Sequence, residues 1–258
     1  MINVTEFFRD PEVFAQLADE VLPDLLRGRD ASDELRIWSA GCASGEEAYS
    51  LAMLALDAAG RMGFHGNVKV FATDLAGDVL AEASRGSYGN AAVAAVPEGL
   101  LRRYFLRESE EGVRVDSNLR RHVVFARHNL LSDPPFTRID LAVCRNLLIY
   151  FGQALQKKVL PLFHYALKPG GILVLGSAET TGEFANLFAP LDKKTHVFKR
   201  INHDARSPWL SFPTRPVVSA PALAPREMRR QVPGASEPTV WRRACAAVAT
   251  ASFMAYLP

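Results

Sequence analysis

The chain has 258 residues, 48% of them apolar and 22% charged, which is typical of one large globular domain with a sizeable core. Its net charge of +2 gives no general attraction for polyanions, so we expect neither nucleic-acid binding nor direct membrane insertion. Three widely spaced cysteines (Cys42, Cys144 and Cys245) predict neither a disulfide framework nor a metal site. The sequence shows no apparent signal peptide and no apolar run long enough to span a membrane, so we expect a cytoplasmic protein.

Charge and proline are unevenly distributed along the chain. Residues 203–258 contain eight of the 16 prolines and seven Arg against three acidic residues, a net +4 that leaves −2 for residues 1–202. Such a composition does not favour regular structure. We therefore predict one domain over residues 1–202, followed by a Pro/Arg-rich linker or disordered tail over 203–258.

Segments typical of helices and strands alternate along the predicted domain. Asp10 and Pro11 predict a helix start, because an acidic N-cap followed by proline is favourable there. In chain order we predict a helix at 12–22, a strand at 35–39, a helix at 46–60 ending at Gly60, a strand at 68–74, a helix at 77–86 ending at Gly86, a helix at 97–107, an antiparallel strand pair at 112–116 and 122–128, a strand at 138–146, a helix at 153–171 and strands at 172–179 and 195–200. Several strands are continuously apolar, which indicates a mostly parallel sheet covered on both faces, a doubly wound α/β fold.

Polar residues follow four of the predicted strands, at the sheet edge where such folds bind ligands. The residues at these four strand ends, including two glycines and one leucine, are Gly41, Ser44, Gly45, Glu46 and Glu47 after the first strand, Asp74 after the second, Asn129 and Leu130 after a later one, and Arg145 and Asn146 after the fourth, with Tyr150 one turn further on. Glycine permits close approach of a ligand to the first loop. A carboxylate such as Asp74 can accept hydrogen bonds from both hydroxyls of a ribose.

The first loop, GCASGEE at 41–47, indicates the class of ligand. Its glycines are four residues apart, so it matches neither the G-x-G-x-x-G fingerprint of a nicotinamide dehydrogenase nor a P-loop. Two acidic residues at a helix start would repel a pyrophosphate. A ligand with a ribose, a positive charge and no phosphate fits better, and S-adenosylmethionine, with its ammonium and sulfonium groups, has these properties.

Each of these residues also has a purely structural interpretation. The two acids of the loop can favour the helix dipole, Asp74 can cap the next helix, and Asn129 and Asn146 can satisfy buried backbone groups. Tyr150 can belong to the core with its hydroxyl bonded, and the cysteines can be buried fillers. The prediction of a site therefore depends on the co-occurrence of polar residues at several strand ends.

Six short stretches, taken in order, resemble one family. They are NVTEFFRD (3–10), WSAGCASGEEAYS (38–50), FATD (71–74), HNLL (128–131), CRNLLIYF (144–151) and LKPGGILVLGSAE (167–179). Together they extend over about residues 1–200 and resemble the catalytic domain of CheR-type chemotaxis protein methyltransferases. The details are most similar to the methyltransferase segment of multidomain chains that fuse a methylesterase, this enzyme and sensor domains.

The resemblance implies a class I S-adenosylmethionine-dependent methyltransferase, Rossmann-like, with a small antiparallel β-subdomain inserted at about 86–127. It implies methylation of glutamate side chains of chemoreceptors, with S-adenosylhomocysteine as product and no metal. The implied partners are the cytoplasmic helical region of chemoreceptors and fused or associated methylesterase and sensor domains. The expected cofactor-binding residues are Asn3, Thr5, Arg9, Gly41, Glu47, Asp74, Asn129, Leu130, Arg145 and Asn146, and those implicated in methyl transfer are Arg9 and Tyr150.

Two features depart from the family pattern. The chain opens at NVTEFFRD, without the separate N-terminal helical domain of stand-alone members, and its insert is compact, which argues against binding of a receptor-tail pentapeptide. A truncation remnant is one interpretation of the ending CAAVATASFMAYLP. Two alternatives stay open: a non-catalytic signalling module that binds the cofactor or its product, and a methyltransferase for another acceptor. For RNA as acceptor, the net charge of −2 over residues 1–202 is unfavourable.

Overall fold

The computed structural model describes residues 5–192 and 194–202, which form a central sheet, a small sheet and flanking helices. The strands are β1 (Glu34–Ala40), β2 (Asn67–Asp74), β3 (Ser87–Gly89), β4 (Phe105–Arg107), β5 (Gly112–Val115), β6 (Val123–Arg127), β7 (Ile139–Cys144), β8 (Leu167–Leu175), β9 (Phe188–Asp192) and β10 (Val197–Arg200). The helices are α1 (Pro11–Gln16), α2 (Leu22–Leu26), α3 (Glu46–Met62), α4 (Gly77–Arg85), α5 (Glu98–Tyr104), α6 (Ser117–Arg120) and α7 (Gln153–Ala166).

The central sheet has seven strands in the order β6-β2-β1-β7-β8-β10-β9. Neighbouring strands from β6 to β8 are parallel, whereas β10 is antiparallel to both β8 and β9. The strand order reverses between β1 and β7, so their C-terminal ends form the switch point at which sheets of this class bind ligands. This topology confirms the predicted doubly wound, mostly parallel α/β fold.

Alternate residues of the central strands contribute to two separate cores. Ile37 of β1 belongs to a core that includes Tyr49 of α3. The next residue, Trp38, belongs to a second core, where its ring centroid lies 5.2 Å from that of Phe163 in α7. Because both faces are buried, a central strand such as β7 is apolar along nearly its whole length, which explains its continuous hydrophobic run.

Glycines with positive φ end two of the helices. Gly86, at φ +67°, ends α4 as predicted. In contrast, α3 continues through Gly60 and ends at Gly63, at φ +65°, so the predicted end at Gly60 is wrong. A glycine inside a helix costs only about 1 kcal/mol relative to alanine, and the packing of α3 on the sheet overrides that cost.

The N-terminal helix differs from its prediction in two respects. Residues 12–22 do not form one regular helix, because a π-helical turn at Leu17–Val21 separates α1 from α2, whose first turn contains Pro23. Asp10 precedes α1, but its backbone is left-handed at φ 59° and its side chain makes no capping hydrogen bond. The predicted helix start is confirmed, with Asp10 at the N-cap position and Pro11 at the first helical position. The expected capping by the Asp10 side chain is wrong, because its carboxylate has another partner, described below.

The predicted boundary between the helix at 153–171 and the strand at 172–179 is also wrong. Helix α7 ends at Ala166, and β8 begins at the next residue, Leu167, which pairs with Ile139 of β7. Gly170, at φ +74°, lies in an irregular part of β8, where the register with β7 shifts. The Pro-Gly-Gly sequence therefore marks a bulge within a strand and not the end of a helix.

The small sheet contains β3, β5 and β4 in that order, all antiparallel. The antiparallel subdomain is thus present, but its predicted strand pair, 112–116 with 122–128, is wrong. Strand β5 pairs with β3 and β4, whereas β6 is parallel to β2 at the edge of the central sheet. The small sheet therefore extends over residues 87–115, and the predicted insert at 86–127 includes one strand of the main sheet.

The predicted tail over 203–258 and its boundary lie outside the described residues. Within the part of the chain that the structure describes, none of the helices is both long and apolar enough to cross a bilayer.

A buried carboxylate at the opposite, N-terminal end of β7 generates a prediction about stability. The Asp140 side chain is 2% exposed; it lies 2.6 Å from Arg29 Nη2 and 2.8 Å from Lys168 Nζ, and accepts the backbone N–H of Arg36 at 2.8 Å. Asp140→Asn removes the charge that both cations share. We expect urea unfolding to show a loss of about 3 kcal/mol in the free energy of unfolding, near the lower limit for a broken buried ion pair.

The exposed pair of Asp24 with Arg27 provides the control, because its side chains are 67% and 74% exposed. Asp24→Asn should change the free energy of unfolding by less than about 1 kcal/mol. Equal losses in the two variants would show that Asp140 is not an electrostatic anchor of the sheet.

Candidate active site

Loops beyond β1, β2, β6 and β7 contact one another at one edge of the central sheet. The backbone N–H of Gly41, after β1, donates to the carbonyl of Thr73 in β2 at 2.8 Å. The N–H of His128, after β6, donates to the carbonyl of Asp74 at 3.1 Å. The predicted strand-end residues are therefore neighbours in space as well as in topology.

Both glycines of the GCASGEE loop are required by the backbone. Gly41 has a φ of +80°, and a Cβ there would lie 2.9 Å from Cδ2 of Leu147 in the loop after β7. Gly45 has a φ of +94°, and a Cβ there would lie 2.9 Å from Cβ of Ala83 in α4. The close approach seen in the structure is thus to other parts of the chain, and close approach of a ligand to Gly41 stays a prediction.

Asp74 connects the loops after β1 and β2. Its Oδ2 accepts the N–H of Ala43 at 3.0 Å, and its Oδ1 accepts the N–H of Ala76 at 3.1 Å. Ala76 is the N-cap residue of α4, so Asp74 supports the helix start without being the cap itself. Each carboxylate oxygen has a second lone pair, which leaves Asp74 able to accept from ribose hydroxyls as well.

Arg145, after β7, is the buried centre of a group of charges, which we call the Arg145 cluster (Arg145, Asp10 and Glu47); the side chain of Asp10 is 34% exposed and that of Glu47 is 13% exposed. The side chain of Arg145 is 2% exposed and forms an ion pair with Asp10. Its Nη2 donates a hydrogen bond to the backbone carbonyl of Arg9 at 2.8 Å, and its Nη1 lies 3.4 Å from Oε2 of Glu47. Its Nε is buried and has no hydrogen-bond partner among the described residues. The cluster joins the N-terminal segment, α3 and the end of β7.

The two acids that begin α3 occupy different environments. Glu47 is 13% exposed, and burial raises the pKa of its carboxyl, against the opposing effects of Arg145 and of a 2.8 Å hydrogen bond from Ser39 Oγ. Glu46 is buried beneath the loop, where Ser44 Oγ lies 2.8 and 3.0 Å from its oxygens, and burial raises the pKa of this carboxyl too. The helix dipole favours both charges, but burial is the largest influence on each pKa.

The N-terminal segment is attached to α3 by its backbone as well. The N–H of Phe8 donates to Ser50 Oγ at 3.1 Å, and the ring of Phe7 packs edge-on against Tyr88 of the small sheet. Thr5 and Arg9 on this segment are half-buried, and the backbone of Arg9 contacts Arg145. The structure thus brings Arg9 to the site, whereas Asn3 lies outside the described residues.

The remaining predicted residues lie on turns beyond β6 and β7. Asn129 Oδ1 accepts the N–H of Leu131 at 2.9 Å in an exposed turn, and this bond is not to a buried backbone group. Leu130 is buried in the second core, which contains Trp38. Asn146 has a left-handed backbone, with φ 57°. Tyr150 ends a 3₁₀ turn, Leu148–Tyr150, and is 56% exposed, so the alternative that it belongs to the core is wrong.

Several residues at this site were not predicted from the sequence. Ser39 contacts Glu47, and Asp10 contacts Arg145. The buried Glu179 accepts backbone N–H groups from two loops. Asp10 and Glu179 lie within the stretches that resemble the family, so their acidic side chains within those stretches were a signal that could have marked them as site residues. Cys42 and Cys144 are buried free thiols whose pKa values burial raises, which agrees with the filler interpretation, and Cys245 is outside the described residues.

The Arg145 cluster predicts a pH-dependent loss of stability. Arg145→Met leaves Glu47 buried without a cation, so the pKa of Glu47 in the folded state should rise further. Unfolding at pH 7 should show a loss of about 3 kcal/mol, typical of an unpaired buried charge. A carboxyl with a raised folded-state pKa imposes its full penalty above that pKa and none below its ordinary pKa, so the loss should shrink as the pH falls from 7 toward the ordinary glutamate value of about 4.3.

Arg85→Met is the matched control, because Arg85 and its partner Glu82 are 66% and 64% exposed. Its effect should be below about 1 kcal/mol and independent of pH. A loss in Arg145→Met that stays constant or grows between pH 7 and pH 5 would contradict the electrostatic account of the cluster.

Comparison with known proteins identifies the family of this chain. The family described as CheR methyltransferase, SAM binding domain, matches residues 3–197. An uncharacterized 104.1 kDa protein of Rhodobacter capsulatus is 42% identical over 205 residues, which are 80% of this chain and 21% of that protein. Chemotaxis protein methyltransferase Cher2 of Pseudomonas putida is 38% identical over 183 residues (69% of this chain, 66% of the relative). The chemotaxis protein methyltransferase of Escherichia coli is 38% identical over 194 residues (72% and 64%).

The chain thus spans 21% of the first relative's length and about two thirds of the other two. The family match extends over most of the residues that the structure describes and includes the central strands from β1 to β9 in full, ending at the first residue of β10. The chain therefore belongs to the CheR family of S-adenosylmethionine-dependent methyltransferases.

Proposed function

We propose that this chain transfers a methyl group from S-adenosylmethionine to glutamate side-chain carboxylates of chemoreceptors, giving γ-methyl esters and S-adenosylhomocysteine. The observation that carries the proposal is a pair of acids at the C-terminal edge of a CheR-family sheet: the largely buried Glu47, at the start of the helix after β1, and Asp74, at the end of β2. Relatives named chemotaxis protein methyltransferases in E. coli and P. putida support the acceptor class. We place the acceptor on the cytoplasmic helical region of the receptor, with methylesterase and sensor domains as fused or associated partners.

The charge balance of the site fits this cofactor. The Arg145 cluster contains two carboxylates and one guanidinium, so it carries a net negative charge, to which Asp74 adds another. A buried site of that sign favours a ligand with ammonium and sulfonium groups and disfavours a pyrophosphate. Glu47 and Asp74 would hold it, together with Asn3, Thr5, Arg9, Gly41, Asn129, Leu130, Arg145 and Asn146.

The acceptor in this reaction needs no general base. A glutamate has an ordinary pKa of about 4.3 and is ionised at neutral pH, so its oxygen is already a nucleophile. Bound S-adenosylmethionine supplies a methyl group on a positively charged sulfur. The task of the chain's own residues is to align the carboxylate and to exclude water, and orientation of this kind can lower a barrier by about 7–11 kcal/mol.

Four residues have distinct roles in this proposal. Arg9 guides a carboxylate through the two parallel N–H groups of its guanidinium. Tyr150, whose side chain is largely exposed at the site, donates a hydrogen bond that positions the acceptor. Glu47 offsets the positive charge of the cofactor, and Arg145 keeps Glu47 in place.

The chemistry of the product tests the function directly. Incubation of the protein with methyl-labelled S-adenosylmethionine and receptor cytoplasmic helices should give label that is released as methanol in mild base, because methyl esters hydrolyse there. Receptor helices with their glutamates replaced by glutamine are the control and should acquire no label. Base-stable label would indicate another acceptor, and tight binding of S-adenosylhomocysteine with no transfer would indicate a binding module.

Asp74 tests the placement of the ribose. Asp74→Ala removes the carboxylate, and calorimetric titration with S-adenosylhomocysteine should show an affinity at least about tenfold lower, equivalent to about 1.4 kcal/mol. The matched control is Asp78→Ala, an exposed acid in the first turn of the following helix, which should leave affinity unchanged. Unchanged affinity in a folded Asp74→Ala variant would contradict the assignment.

A further inference from the structure

A buried carboxylate links the loops after β7 and β8. Glu179 is 3% exposed, and its two oxygens accept different backbone N–H groups, Oε1 from Leu148 at 2.7 Å and Oε2 from Gly176 at 2.6 Å. Hydrogen bonds to an ionised acceptor are about twice as strong as neutral ones. Glu179 therefore fixes the start of the turn Leu148–Tyr150 relative to the end of β8.

The same turn is held from its other side by α7. Nε2 of Gln156 donates to the carbonyl of Leu148 at 3.0 Å and to that of Phe151 at 2.9 Å. The N–H and the carbonyl of Leu148 are thus bound by two side chains from two different elements. Glu179, Gln156 and Leu148 also line one small cavity of about 70 Å³.

Close packing of the backbone couples this turn to the predicted site. Gly176 has no space for a side chain, because a Cβ there would lie 2.9 Å both from the N atom of Asn146 and from Oε2 of Glu179. Asn146, two residues before Leu148, has a left-handed backbone. A shift of the carboxylate would therefore move the segment from Asn146 to Tyr150.

Burial within the turn explains why such contacts are needed. Leu148 is buried, whereas Ile149 and Tyr150 are 48% and 56% exposed, so apolar packing fixes only the first residue of the turn. Three residues of 3₁₀ helix supply little internal hydrogen bonding. The position of the Tyr150 side chain then depends on the polar contacts made to the backbone of Leu148.

We propose that Glu179 is a positioning residue for methyl transfer: with Gln156, it holds the turn Leu148–Tyr150 so that the Tyr150 hydroxyl meets the acceptor carboxylate. This inference rests on the proposed function. Glu179 hydrogen-bonds the turn that ends in Tyr150, whereas Glu47 and Asp74 make their own hydrogen bonds to Ser39 and Ala43. Glu179 reaches the predicted cofactor residues only indirectly, through the packing of Gly176 on Asn146 and through its charge near Glu47. Its effect should therefore appear in turnover more than in cofactor binding.

The test compares two Glu→Gln substitutions four residues apart. Glu179→Gln keeps the size of the side chain but directs an NH₂ group at one of the two N–H donors. Glu183→Gln is the control, because Glu183 pairs with Lys157 on the surface, where both side chains are 55% exposed. We expect kcat for ester formation to fall about tenfold or more in Glu179→Gln, with affinity for S-adenosylhomocysteine within about threefold, and no change in the control.

Two further measurements separate positioning from general support of the fold. Amide hydrogen exchange should accelerate over residues 147–151 in Glu179→Gln and not in Glu183→Gln. Combined with Tyr150→Phe, the loss caused by Glu179→Gln should nearly vanish, because residues that act through one group are not additive. If Glu179→Gln does not fold, Gln156→Met releases the same turn from the solvent side and should give the same split between kcat and affinity.

Several outcomes would overturn the inference. They are unchanged exchange over 147–151, accelerated exchange with unchanged kcat, an additive loss with Tyr150→Phe, and a loss of cofactor affinity as large as the loss of kcat. Wild-type protein that gives no methanol-releasing label would instead refute the proposed function, and the catalytic part of this inference with it. Hydrogen exchange would in that case still decide whether Glu179 fixes the turn.

Discussion

A buried guanidinium shared between two carboxylates is the interaction on which this site depends. Arg145 joins Asp10 of the N-terminal segment and Glu47 of α3 to the end of β7. An ion removed from water loses several kcal/mol of solvation, which only well-placed partners restore. The three segments are far apart in sequence, and they meet because the buried guanidinium of Arg145 needs carboxylate partners. One negative charge is left over, which gives the site its sign.

Carboxylates also position the loops around this cluster. Asp74 accepts N–H groups from the loops after β1 and β2, and Glu179 does so for the loops after β7 and β8. Backbone groups beyond the strand ends have lost their partners in the sheet and need others. Since each oxygen of a carboxylate can accept separately, one acidic side chain is able to connect two loops. At this edge of the sheet, a single carboxylate therefore connects two loops in two separate places.

The sequence predicted the fold well and the fine structure of the site less well. Continuous apolar runs identified the central strands such as β7, because both faces of the sheet are buried. Short strands were missed: β4 lies within the helix predicted at 97–107, which ends at Tyr104, because three residues carry no readable period and directly follow that helix. The local sequence places Asp10 correctly at the N-cap position but gives no sign that its side chain pairs with Arg145, 135 residues away. Glu179 was missed because its partners are backbone N–H groups, which leave no pattern in the sequence.

The acids at the start of α3 explain why a fold so often associated with phosphates can take a different ligand. In a phosphate-binding loop, the free N–H groups and positive dipole of the helix N-terminus are available to an anion. Here Glu46 and Glu47 lie in that first turn, so the chain places its own negative charges at the positive end of the helix. A phosphate brought to this edge would meet like charge in a partly dry site, where repulsion is strong. The preference for a cationic ligand therefore follows from two side chains on a shared backbone and not from the topology of the sheet.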